Sequence, residues 1–94
     1  MIRVIGLALS VDKYEVTEGE PLKVKVGVYL EDILGYPSYY SVVIYGRKGF
    51  KRYKLGVIGG PVPPFSRYFE MEGEITFKEA GVYDIWAEGS DNVE

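Results

Sequence analysis

Leu22-Lys23-Val24-Lys25-Val26-Gly27-Val28-Tyr29-Leu30 has an aliphatic side chain at every second position, with Lys23 and Lys25 between the first three. Successive side chains of a strand point to opposite faces, so Leu22, Val24, Val26, Val28 and Leu30 form one aliphatic face. The stretch reads as a strand buried on one side. Glu18-Gly19-Glu20-Pro21 turns the chain into it. Upstream, Ile5, Leu7, Leu9 and Val11 share one parity. A first strand is expected in two parts, Leu7 to Val11 and Tyr14 to Val16. The inward parity changes near Asp12-Lys13, which predicts a kink or bulge there.

Downstream, a strand is expected over about Tyr39 to Tyr45. Tyr40, Val42 and Ile44 share one face, and Tyr39, Val43 and Tyr45 share the other, so both faces are mostly apolar. Gly46-Arg47-Lys48-Gly49 reads as a hairpin turn, with a basic and aromatic return strand from about Phe50 to Leu55. Gly59-Gly60-Pro61-Val62-Pro63-Pro64 reads as a loop. Alternation then resumes: Phe69, Met71, Gly73, Ile75 and Phe77 face one way, and Glu70, Glu72, Glu74 and Thr76 the other. Lys78-Glu79-Ala80-Gly81 leads into a strand from Val82 to Ala87. Tyr83, Ile85 and Ala87 point inward there, and Trp86, of opposite parity, faces solvent, a covering loop or a partner. No window carries helical apolar spacing, so the chain reads as all-β.

With 94 residues the chain is one small domain. Apolar residues make up 47% and charged residues 27%, a globular composition. The sequence has neither Cys nor His. That excludes disulfides, thiolate zinc sites and thiol nucleophiles, and removes the commonest general base. No cofactor is expected. No apolar run approaches a membrane span, and the alternating N-terminus suits a strand better than a signal core. Gln is absent and Asn92 is the only Asn, a depletion of thermolabile residues that points to a thermophile.

Phe77-Lys78-Glu79-Ala80-Gly81-Val82-Tyr83-Asp84-Ile85 resembles the E–F corner of immunoglobulin-like sandwiches. Gly81 and Tyr83 match that pattern, and Ile85 stands where the family carries a Cys. The resemblance implies that Tyr83 is a corner tyrosine whose hydroxyl bonds to backbone upstream. Gly19 with Leu22, Val24 and Val26 looks like strand B. Strand C lacks the core Trp and no disulfide is possible, so the likeness is to disulfide-free fibronectin-III and bacterial or archaeal Ig-like domains. The implied fold is a single Ig-like two-sheet antiparallel sandwich over residues 1–94, of about seven strands. The implied roles are structural, adhesive or binding, without catalytic residues. Past strand F only Gly89-Ser90-Asp91-Asn92-Val93-Glu94 remains, so the last strand, G, is short or missing. A reduced sandwich, a longer parent chain or a strand from another chain would each account for that.

Charge is segregated along the chain. Residues 33–69 carry six positive and no negative charges, and residues 70–94 carry eight negative and one positive. Arg47, Lys48, Lys51, Arg52 and Lys54 form a basic patch interleaved with Tyr45, Phe50 and Tyr53. It reads as a solvated face opposite acidic strands of the same domain, as a head-to-tail contact onto the acidic strand Glu70, Glu72, Glu74 of a neighbour, or as a site for nucleic acid or another polyanion. Lys48-Gly49-Phe50 begins like the RNP1 pattern of RNA-recognition domains and departs from it at Lys51 and Arg52. The Glu ladder reads as a solvent face, and a calcium site from Glu31, Asp32 and Asp91 has no recognised ligand spacing. Tyr36, Tyr39, Tyr40 and Tyr45 admit carbohydrate stacking, although packing accounts for them more simply.

The expected function is a non-enzymatic structural or protein-interaction module, with no catalytic and no metal site. Its interaction surface is Tyr39, Val43, Tyr45 and Trp86. A protein partner or self-association is expected, and a membrane is not. In its sharper form the module is a subunit of an extracellular or virion assembly joined through sandwich edges; otherwise it is cytoplasmic. The alternatives are a nucleic-acid or polyanion binder through hairpin 47–54, and a carbohydrate-binding module.

Overall fold

The computed structural model describes residues 2–32, Gly35 and residues 38–89. Six strands follow one another: β1 (Ile2–Val11), β2 (Leu22–Asp32), β3 (Ser38–Lys48), β4 (Lys51–Val62), β5 (Tyr68–Ile75) and β6 (Asp84–Gly89). They form two antiparallel sheets, ordered β1-β2-β5 and β4-β3-β6. Six strands are described where about seven were expected, and residues 90–94, where strand G was sought, lie outside the described residues.

The alternating stretch places β2 at the centre of the first sheet. Leu22, Val24, Val26, Val28 and Leu30 are all buried. Tyr40, Val42 and Ile44 do the same for β3, the centre of the second sheet. A single buried cluster joins these residues with Ile58 and Val62 of β4 and Phe69, Met71 and Ile75 of β5, so it draws on both sheets. Contact is close where β4 meets β5. A Cβ on Gly73 of β5 would lie 2.7 Å from Ile58 Cγ1, so any larger residue there would force the Ile58 side chain to shift.

Five features differ from the sequence reading. β1 is continuous, and its irregularity falls at Ile5, between Val4 and Gly6, rather than at Asp12-Lys13. The extra residue reverses parity, so Val4 and Leu7 both pack on the core while Ile5 is 60% exposed. Tyr14 to Val16 is not a strand, and Tyr14 is exposed. The β3–β4 turn is shorter than Gly46 to Gly49: Lys48 pairs with Lys51 around Gly49-Phe50. Gly49 takes φ 62°, the positive φ that a two-residue hairpin loop demands of its first residue. β4 continues through Gly59, Gly60, Pro61 and Val62, read above as loop. It pairs only with β3, and an edge strand tolerates a proline. The last strand begins at Asp84 rather than Val82, because Val82 and Tyr83 belong to the corner before it.

Candidate interaction surface

The register of the second sheet decides which side chains share its outer face. Tyr39, Ser41 and Val43 on β3 lie opposite Pro61, Gly59 and Val57 on β4. A bulge at Leu55 follows, after which Tyr45 lies opposite Lys54 and Arg47 opposite Arg52. On the other side, Val43, Tyr45 and Arg47 lie opposite Glu88, Trp86 and Asp84 of β6. Opposed residues of an antiparallel pair share a face. Tyr39, Val43, Tyr45 and Trp86 therefore lie together on the outer face, with Val57 between them and the far edge. The Gly59–Pro64 segment flanks this face as strand for most of its length, and Tyr39 and Val57 remain 58% and 56% exposed.

At one end of this face the rings are organised by a cation. Trp86 stacks on Tyr45 with ring centroids 5.9 Å apart and planes 27° apart. The Arg52 guanidinium carbon sits 4.3 Å from the Tyr45 centroid and 5.8 Å from that of Trp86. Glu88 Oε2 accepts from Arg52 at 3.4 Å and from the Trp86 indole N–H at 2.6 Å. The off-parity position of Trp86 was legible in the sequence. The Arg52–Glu88 bond beside it was not, because it joins residues 36 positions apart.

The basic patch is divided by the fold. Arg47 meets Asp84 at 3.6 Å, Lys48 meets Glu79 at 3.6 Å, and Arg52 meets Glu88. Lys48 lies across Gly81 and donates to the carbonyl oxygen of Ala80. Among the described residues no ion pair holds Lys51 or Lys54. Phe50, at the hairpin tip, is fully exposed.

Below the hairpin, the Tyr83 hydroxyl donates to the carbonyl oxygen of Glu79 at 2.7 Å. The Tyr83 ring packs on Phe77, 4.7 Å between centroids, and against Tyr53 at 5.8 Å. The Tyr53 hydroxyl donates to Glu79 Oε2 at 2.9 Å. That bond, helped by Lys48 and Lys51, holds the Glu79 carboxyl below its ordinary range, and it pushes the Tyr53 phenol up. Between β1 and β6 a cleft of about 940 Å³ opens, lined by Leu9, Val11, Leu22, Phe77, Tyr83 and Ile85 among others.

On the outer face of the first sheet, Glu70, Glu72 and Glu74 lie opposite Gly27, Lys25 and Lys23. Lys25 meets Glu72 at 3.6 Å, and Glu70 accepts from the Tyr68 hydroxyl, which pushes that phenol up. Tyr68 also packs on Tyr29, centroids 4.8 Å apart, an aromatic pair that sequence reading did not single out. Among the described residues no group of three Asp or Glu side chains is placed to hold a metal ion. Tyr36 and Asp91, weighed for sugar and calcium binding, lie outside the described residues. Among the described residues no helix is long and apolar enough to cross a membrane. No protein-family model matches the chain, and neither the curated proteins nor the solved structures include a significant match.

Proposed function

We propose that the chain is a non-enzymatic structural or protein-interaction module, folded as one Ig-like sandwich and working through the outer face and the β6 edge of the β4-β3-β6 sheet. One observation carries this reading. Tyr39, Val43, Tyr45 and Trp86 lie on a single face with Val57, and beside it β6 pairs with β3 alone among the described strands. Large aromatic side chains held rigid by neighbours are suited to binding protein surfaces. The sandwich reading is supported by strand order: β1-β2-β5 and β4-β3-β6 correspond to A-B-E and C′-C-F. The Tyr83 to Glu79 hydrogen bond supports it as well. In its sharper form the module is a subunit of an extracellular or virion assembly.

Sedimentation of the intact chain over concentration and salt tests the reading. Reversible growth in mass that survives salt is expected, since three of the five patch cations already have partners inside the chain. A monomer under every condition would contradict self-assembly.

Polyanion binding by the hairpin is the second reading, favoured by Phe50 standing fully exposed between Lys48 and Lys51. Its mark is RNA or DNA binding that falls steeply with salt and is lost in Lys51→Glu with Lys54→Glu. No binding at low salt would remove it.

A further inference from the structure

Among the described residues the two three-stranded sheets have four edge strands, and an edge with unpaired backbone groups invites another strand unless something blocks it. Three of the four carry blocks. β1 has the bulge at Ile5. β4 has the bulge at Leu55, Pro61, and the lysines Lys51 and Lys54. β5 carries Glu70, Glu72 and Glu74 in eight residues. β6 differs from all three. Its register with β3 is unbroken from Asp84 to Gly89, and it contains no proline and no lysine. Its two charges, Asp84 and Glu88, are held by Arg47 and Arg52 of its own sheet. What remains at its centre is Ile85, Trp86 and Ala87, each only partly buried.

Resting on the interaction-module reading, we propose that the partner at this edge is a second copy of the chain. β6 pairs antiparallel with β6 of that copy about a two-fold axis through Trp86. The register follows from the requirement that opposed residues share a face. Centring on Trp86 or on Ala87 opposes five residues; centring on Ile85 opposes three. Centred on Ala87, Trp86 would meet a carboxylate and Ile85 a glycine. Centred on Trp86, indole meets indole on the outer face, and Ile85 meets Ala87 twice on the inner face. Asp84 then lies opposite Glu88 of the second copy, with an arginine beside each carboxylate. The two sheets become one of six strands, and the Tyr45–Trp86 stacks join in a row of four rings across the axis. Aromatic cross-strand pairs are among the more favourable in sheets.

The chain has no Cys, so introduced thiols report only on their own positions. Opposed Cα atoms lie about 4.5 or 5.5 Å apart, within the span of a disulfide. Under mild oxidation Trp86→Cys is expected to form covalent dimers faster than Phe50→Cys, the fully exposed collision control, by on the order of 100-fold. Asp84→Cys mixed with Glu88→Cys is expected to cross-link across the mixture, with little product from either alone. Both positions are exposed, so this pair keeps the test valid if loss of Trp86 weakens the fold. Faster cross-linking of Ala87→Cys than of Trp86→Cys would overturn the register. Cross-linking no faster than the control, in a chain that still gains mass in sedimentation, would overturn the β6 pairing and leave the module reading standing. A chain monomeric at every concentration would overturn the self-pairing and leave a module that binds a different partner.

Discussion

Arg52 on β4 lays its guanidinium 4.3 Å from the ring centroid of Tyr45 on β3 and reaches Glu88 on β6 in the same gesture. One side chain thereby fastens all three strands of the second sheet across its outer face. Removing it with Arg52→Ala is expected to cost about 0.5–1 kcal/mol, since the pair is half exposed. Trp86 is the only Trp, so its emission should shift toward that of a more exposed indole. Unchanged emission would mean that Arg52 does not hold the stack.

Stability should fall at both ends of the pH scale through Tyr53 and Glu79. The Glu79 carboxyl is held low, so its contribution is present above the ordinary carboxylate value of about 4.3 and is lost as pH falls through the folded value. The Tyr53 phenol is held high, so its contribution is present below about 10 and is lost as pH rises beyond that. Urea midpoints of Tyr53→Phe should fall less steeply at both the alkaline and the acid end. Limbs identical to those of the parent chain would contradict the pairing.

Gly73 lies beneath Ile58 where β5 meets β4. Gly73→Val should overpack this contact and cost about 1–3 kcal/mol. Ile44→Ala, which opens the centre of the core, should cost about 2–5 kcal/mol. Denaturant unfolding measures both, and a neutral Gly73→Val would mean that the two sheets are not in close contact there.

The depletion of Gln and Asn is expected to accompany a thermal midpoint above the mesophile range of about 45–65 °C. Calorimetry of the intact chain reads it directly, and a midpoint within that range would remove the thermophile reading.

Strand parity was legible wherever a single period ran uninterrupted. The burial of Leu22 to Leu30, of Tyr40 to Ile44 and of Phe69 to Ile75 follows from alternation alone. The boundaries that moved are those where backbone pairing overrides side-chain pattern. The bulge at Ile5 changes parity with only Gly6 beside it as a signal, and Gly59 to Val62 is strand because β3 supplies the ladder. The face carrying Tyr39, Val43, Tyr45 and Trp86 could be drawn from parity, since all four have the outward phase of their strands. The fate of the charges could not. Arg47, Lys48 and Arg52 find their acids 37, 31 and 36 residues away, brought near by the β3–β6 register, by the corner before β6 and by β4 and β6 flanking β3.

Amide hydrogen exchange of the intact chain at low and high concentration locates the working edge most directly. Amides of Ile85 to Glu88 should gain protection as concentration rises, while those of the blocked edges β1, β4 and β5 stay unchanged. Protection that never changes along β6, or that appears first on another edge, would contradict the assignment of this side of the second sheet as the interaction surface.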